Sequence, residues 1–561
     1  MKRIFLSAFL LVSLSLSAQN IDRKQVVERN NPHVVTMDSL NSLSVGNGGF
    51  AMTVDGTGLQ SFPKSYSKGI SLGTMSDWGW HSFANPENYK PEESWRYYDY
   101  GRGRKEPYAT QIKEDKRKKA AGDWYRVNPH RLHLGTLGLS LGSDPKNIQQ
   151  VNQILDMWDG MIKSSFIYHG RAYQVETTCH PELDMIATHV QSKGSIAFDI
   201  RFAYPTGGHC DDACDWNKDH LHSTMLVSQD KNSAVLKRTI DETVYFVMLR
   251  WQGTAKLKQK GKNFYQLQSK SADLKLTCEY AEQLSSENKT FAEVADAAKV
   301  YWNRYWQKGA MVDFGQCKDP RAQEMERRVV LSQYLLAIQD AGETPPQETG
   351  LTYNSWFGKF HLEMILWHQA QFALWGHPEL LERSLSWYFK AEPNARKIAR
   401  RQGFKGVRWM KMTDPDAGEA PSSTGSFLIW QQPHLIYLAE LLYRADPSPA
   451  ILQKYAKLVD ETAEFMGDFA EYDKEKDRYI LRGCIAAQET LPAATTVNPP
   501  FELSQWHCAL KIAQEWRERL GKARDAHWDD IIAKISPLAS KDSLYLAAET
   551  EPDTYLPLIH I

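Results

Sequence analysis

Two glutamates stand in one largely neutral stretch, CIAAQETLPAATTVNPPFEL, residues 484–503. They are Glu489 and Glu502. A carboxylic acid in such a loop could donate a proton to a leaving oxygen, as glycoside cleavage requires. The small residues Ala486, Ala487 and Thr490 bring no opposing charge that would hold Glu489 ionised. A loop glutamate can equally be solvated surface. Glu502 precedes an apolar helical face, and reads as a first-turn glutamate favoured by the helix dipole.

Other chemistry-bearing residues gather in two places. NSWFGKFHLEMILWHQ holds Glu363 among Trp356, Phe360, His361 and Trp367. A carboxylate there could grip sugar hydroxyls or pair with a buried basic group. The loop 404–426 carries Trp409, Lys411, Asp414, Asp416 and Glu419, and Trp430, Gln432 and His434 follow it. Its KMTDPDAGEAPSS stretch is turn chemistry by composition, of a kind that can also shape a sugar subsite. Trp409, Trp430 and His434 could stack or hydrogen-bond, or belong to a core. Cys210 and Cys214 in HCDDACDW have no second Cys or His pair to complete a zinc site, so this is read as a polar loop able to form a local disulfide. Neither a metal nor a cofactor is expected.

These residues need a frame to hold them. The chain has 561 residues, 42% hydrophobic and 24% charged, long enough for more than one core. A net charge of −1 gives no basic face for nucleic acid. The 18 Trp and 25 Tyr suit sugar binding as well as large cores. Lys2 and Arg3 precede an apolar run from Ile4 to Leu16, too short to span a bilayer. This reads as a signal peptide, residues 1–18, cut after Ala18. The expected location is periplasmic or secreted, without membrane insertion.

Residues 19–285 read as strands. AFDIRFAYP alternates, and KSSFIY and RAYQVETTC flank His169-Gly170 as a hairpin. TVYFVMLRW suits a buried strand. An antiparallel β-sandwich is expected. Residues 286–315 read as a linker helix. From 316 to 561 the period is helical. Met325, Val329 and Leu336 share one face; Leu452, Tyr455, Val459, Thr462 and Met466 repeat, as do Leu503, Trp506, Leu510 and Ala513. Pro433 opens a helix running to Tyr443. Long loops at 404–426 and 481–500 are expected to carry function and to face one cavity with Glu363. Paired helices with long loops on one side predict an (α/α)₆-barrel, so the fold class is multidomain α and β: sandwich, linker helix, barrel.

Within that frame the chain resembles glycoside hydrolase family 65, a six-hairpin glycosidase family, weakly in the sandwich and better from about residue 300. NSWFGKFHLEMILWHQ occupies the place of the family's Trp-Asp-x-Glu helix opening, with Glu363 at the glutamate. ARKIARRQGFKGVRWMKMTDPDAGE resembles its Ala-Arg-x-x-Ala…Gly-Tyr-Lys-Gly stretch. IAAQET and VNPPFELSQW hold the places of Gly-Pro-Asp-Glu-Tyr and the asparagine-containing lead into a helix. The resemblance implies that Glu489 is the general acid, Gln488 stands for the aspartate before it, and Asn498 for the downstream asparagine. Phe360 and His361 replace the family's Trp-Asp pair and Thr490 its tyrosine, which points to a different sugar.

The expected function is an exported inverting glycoside hydrolase acting on an α-linked glucoside or related oligosaccharide. The alternatives are a disaccharide phosphorylase and a non-catalytic carbohydrate-binding pseudoenzyme. Roughly seven helices are readable after residue 318, fewer than a closed barrel needs, and the family's general base or phosphate loop would lie further on. The expectation is a domain that continues beyond Ile561, with apolar faces such as that of 433–443 left open. The sequence carries no signature of an oligomeric state.

Overall fold

The computed structural model describes residues 21–487 and 489–555. The proposed signal peptide and Gln488 lie outside the described residues.

The first half is built on a nine-stranded antiparallel sheet. Its order is His33–Val34, Ile148–Asp156, Met161–Tyr168, Arg171–Cys179, Met185–Ser192, Asp273–Ala281, Thr243–Gln252, Ser233–Ile240 and His222–Gln229. A four-stranded sheet, Ala255–Gly261, Phe264–Ser269, Ile196–Arg201 and Thr136–Leu139, supplies the second layer. Alternation sets the burial: Ile196, Phe198 and Ile200 are buried and the residues between them are not. The hairpin turn at His169 and Gly170 has φ of 48° and 74°, the double left-handed geometry of a tight turn between twisted strands. Three helices interrupt this half: α1 (Arg23–Arg29), α2 (Pro63–Tyr66) and α3 (Lys116–Val127). The strand-dominated reading of the sequence did not include α3, whose charged KRKK opening buries little beyond Ala121 and Gly122.

Helix α4 (Phe291–Lys308) joins the halves. Thr290 and Glu293 form a capping box at its start. It packs on the strands Arg171–Cys179 and Met185–Ser192, burying Trp302, Tyr305 and Trp306.

Eight helices follow among the described residues: α5 (Ala322–Gln339), α6 (Ile365–Leu374), α7 (Pro378–Leu385), α8 (Trp387–Arg401), α9 (His434–Ala445), α10 (Pro449–Phe469), α11 (Pro500–Arg519) and α12 (Ala526–Lys534). Prolines at the first turns of α7, α10 and α11 cost no hydrogen bond there. The face expected on α5 is corrected. Met325 is 56% exposed, and Glu326, Val330, Tyr334, Ala337 and Ile338 point inward. Arg29 of α1 donates to the Glu326 carboxylate at 2.7 Å, which supplies this buried charge on the inward face with a partner. Helix α9 does not show the open apolar face expected of it. It packs against α6, α7, α10 and α11 and buries residues on every side except around Tyr437.

Candidate active site

A short ladder brings the charged residues together. The two-residue strand Phe360–His361 pairs antiparallel with Met412–Thr413, and the Leu362 amide donates to the Lys411 carbonyl at 2.8 Å. Residues 361–363 therefore run beside residue 411. Lys411 Nζ lies 3.1 Å from Glu363 Oε1, and His361 Nδ1 lies 3.1 Å from the same oxygen. Glu363 stands just before α6, where the helix N-terminus favours a negative charge. The carboxyl is 4% exposed. Burial would raise its proton affinity, but His361 and Lys411 outweigh that and hold it below the usual glutamate range.

The second loop delivers Glu489 to the same lysine. Lys411 Nζ is 3.7 Å from Glu489 Oε1, and the Glu489 side chain is 37% exposed. The loop is tied at both ends. Ile485 bridges Leu428, and the Glu489 amide donates to the Ala486 carbonyl at 2.8 Å. Asn498 accepts from the Leu481 amide at 2.9 Å and donates to Ser536 and Glu549 at 3.1 and 2.6 Å. Tyrosines 100 and 108 of the sandwich pack with Phe427, Leu428, Trp430 and Ile485, so both long loops rest on the first half of the chain.

Strain concentrates here. Trp356, Phe357, Glu489 and Asn498 have φ of 49°, 66°, 66° and 52°. Such conformations cost energy and persist where surrounding contacts over-determine them, commonly at ligand sites. Gly358 is obligatory: its φ is 71° and a Cβ would come within 2.1 Å of Arg131 Cβ.

Aromatic rings enclose the charged group. Lys411 Nζ sits 5.5 Å from the Trp356 ring centre. Trp367, 53% exposed, lies 6.1 Å from Trp430 and 6.4 Å from His434. Burial lowers the pKa of both His434 and His368 to about 4, so each is a neutral imidazole at neutral pH. Several buried polar atoms here have no hydrogen-bond partner among the described residues: His361 Nε2, Glu363 Oε2, His368 Nδ1, Trp430 Nε1 and His434 Nε2. Unsatisfied atoms in one place are costly unless something else supplies the bonds.

Of the residues read from the sequence, the structure brings together Trp356, His361, Glu363, Lys411, His434 and Glu489. Four others sit elsewhere. Phe360 is wedged edge-on between Trp80 and Trp387. Trp409 donates to Thr462 at 3.0 Å within the helical core. Gln432 accepts from the Trp409 amide and donates to the Val407 carbonyl, at 2.9 and 2.7 Å, which spends both ends of its side chain. Asn498 is the loop latch just described. The sequence placed His209 only in the polar HCDDACDW loop and did not single out Arg126. His209 lies 3.9 Å from the Trp356 ring centre and Arg126 lies 5.6 Å from it, both from the sandwich half. The HCDDACDW loop thus reaches the site, and both its cysteines are free thiols.

No family model matches the sequence, and no curated protein matches it. The fold, however, has solved counterparts. A protein assigned as a kojibiose phosphorylase, from the human microbiome, superposes with a TM-score of 0.62 at 11% identity. The match covers 93% of this chain and 73% of that one. A bacterial glucoamylase complexed with acarbose gives a TM-score of 0.41 at 9% identity over 66% of this chain and 55% of that one, too slight to argue from. The chain therefore shares the fold of the first counterpart, an antiparallel sandwich followed by paired helices.

Proposed function

We propose that the protein is a carbohydrate-active enzyme that cleaves a glycosidic bond beside Glu489. One observation carries the reading. Unpartnered buried donors and acceptors converge with three charged groups beneath aromatic rings, at the meeting point of two long loops. A sugar's many hydroxyls would satisfy such atoms, and its apolar face would lie on the rings. The fold likeness to a protein assigned as a phosphorylase supports the same class.

Glu363 and Lys411 would hold hydroxyls, one as an ionised acceptor and one as a cationic donor. Glu489, the exposed carboxyl of the three-residue group, would face the bond. Lys411 Nζ, 3.7 Å away, is an opposing charge that the loop's own sequence did not show, and donation requires Glu489 in its protonated form. As the bond between the anomeric carbon and the glycosidic oxygen breaks, the Glu489 proton passes to that oxygen. Water attacks the carbon from the opposite face, its proton passes to bulk solvent, and Glu489 is reprotonated from solvent, leaving an inverted hemiacetal. The reading proposed is an exported inverting hydrolase of an α-linked glucoside or related oligosaccharide. The second reading is a phosphorylase, favoured by the name of the structural counterpart, in which phosphate replaces water and a sugar 1-phosphate forms.

The test is a set of α-linked glucose disaccharides incubated with and without phosphate and followed by proton NMR. Hydrolysis independent of phosphate supports the first reading, and phosphate-dependent sugar 1-phosphate supports the second. Glu489→Gln should lower turnover of a substrate with a poor alcohol leaving group by at least ~10²-fold, and of an activated aryl glycoside by less. A variant within a few-fold of the parent on both substrates would remove Glu489 from the chemistry.

A further inference from the structure

Across the turn from Glu489 lies a carboxyl that the reaction above does not use. Glu502, in the first turn of α11, is fully buried. Neither of its oxygens has a hydrogen-bond partner among the described residues. A first-turn glutamate stabilised by the helix dipole would normally reach solvent, so the bland reading of this residue does not describe its surroundings. Glu502 also borders a cleft of about 520 Å³, walled by Ala486, Ala487, Phe501, Leu538 and Tyr545. Most of the wall is apolar; Ser504 and Tyr545 bring hydroxyls to it. Desolvation pushes the carboxyl up to about 8, and the amides of Glu502 and Ala487 offset this only in part. In its protonated form the group offers a hydroxyl donor that no described residue takes up.

The cleft adjoins the candidate site. Phe501 packs edge-on against Trp430 at 5.7 Å, and Trp430 stands 5.6 Å from His434. Ala486, which lines the cleft, accepts the hydrogen bond from the Glu489 amide. One turn of chain thus has the lysine-bridged carboxylates on one side and Glu502 on the other.

We infer that this cleft is a second binding site, in which the buried Glu502 carboxyl, unpartnered among the described residues, hydrogen-bonds an uncharged ligand that pairs an oxygen with an apolar face. The cleft dimensions suit a ring-sized alcohol, with Phe501 and Tyr545 covering the apolar side. Where the glycosidase reading holds, on which this extension rests, the site would take the leaving-group side of the substrate.

The probes are benzyl alcohol and cyclohexanol, observed by saturation-transfer NMR on the full chain, with no turnover required. The parent protein should bind them at about pH 6 and lose affinity by about tenfold or more at about pH 9.5, as Glu502 ionises and its donor disappears. Glu502→Gln keeps a neutral donor of the same shape, so it should bind at both values without the pH dependence. Glu502→Leu should bind at least about tenfold more weakly at both. Should the leucine variant not fold, the parent and the glutamine variant decide alone. Absence of binding by the parent, binding that ignores pH in the parent, or a glutamine variant that keeps the parent's pH dependence would each overturn the site. Alcohol binding with this pH profile in a protein that turns over no glycoside would keep the site and discard the enzymatic reading. Turnover with no alcohol binding would do the reverse.

Discussion

Glu363 and Glu502 are both nearly invisible to solvent, at 3% and 0% exposure, and both lie at the start of a helix, α6 and α11. Their charge states are opposite. Glu363 has Lys411 and His361 within 3.1 Å and stays ionised below the usual glutamate range. Glu502 has mostly apolar walls, no charged partner among the described residues, and a carboxyl that desolvation pushes up to about 8. Burial penalises the charged form at both positions; the neighbours decide which side wins. A site that places an ionised and a neutral carboxyl on two sides of one turn has the parts for acid–base work and for neutral recognition.

The comparison can be broken most severely at the lysine. Lys411→Met leaves Glu363 buried with His361 as its remaining partner. Loss of one member of a buried pair typically costs about 3–5 kcal/mol, and denaturant unfolding at neutral pH should show a loss near that range. Adding Glu363→Gln should restore most of it, because no charge is then stranded. A single variant that loses under about 1 kcal/mol would mean that the pair is effectively solvated.

The second test uses pH. Glu502 binds its proton more tightly folded than unfolded, so its contribution to stability falls as pH rises from the ordinary glutamate range to about 8, then levels. Glu502→Gln removes that slope. It should be more stable than the parent by on the order of 2–4 kcal/mol at about pH 9.5, and the two should converge toward acid. Glu363 has the reverse sign: its contribution is present at neutral pH and is lost as pH falls below the usual glutamate range.

A smaller effect is expected at the latch that sets the loop between the two glutamates. Asn498→Ala removes three hydrogen bonds and leaves a strained positive φ. The expected loss is about 2–3 kcal/mol by thermal or denaturant unfolding. The smallest is Trp367→Ala. At 53% exposure it should change stability by about 0.5 kcal/mol or less, while weakening sugar affinity measured by calorimetry.

Much of this arrangement was legible in the sequence. Period-two and helical repeats placed the sandwich and most helices, and the two long loops pointed to the residues that meet around Lys411, since a structureless stretch between periodic segments is a local signal. Glu363, Lys411 and Glu489 were all singled out. What escaped depends on contacts distant in sequence. Glu326 on the inward face of α5 is met by Arg29 of α1, and the wall supplied by His209 and Arg126 comes from the other half of the chain. Phe360, Trp409 and Gln432 have the residue types of a sugar site, but their side chains are spent on packing and hydrogen bonds that composition does not reveal. Glu502 offered one clue, the run Pro499, Pro500, Phe501 with no basic residue beside it.

The most direct measurement is the carboxyl titration of protein labelled with ¹³C at the glutamate side-chain carbon, assigned with Glu363→Gln and Glu502→Gln. The parent should show one resonance that titrates near pH 8 and vanishes in Glu502→Gln. Another, absent in Glu363→Gln, should remain ionised into acid beyond the ordinary glutamates. If the resonance lost in Glu502→Gln titrates with the surface carboxylates instead, the two glutamates share one environment, and the contrast on which both the site and the second cleft rest is wrong.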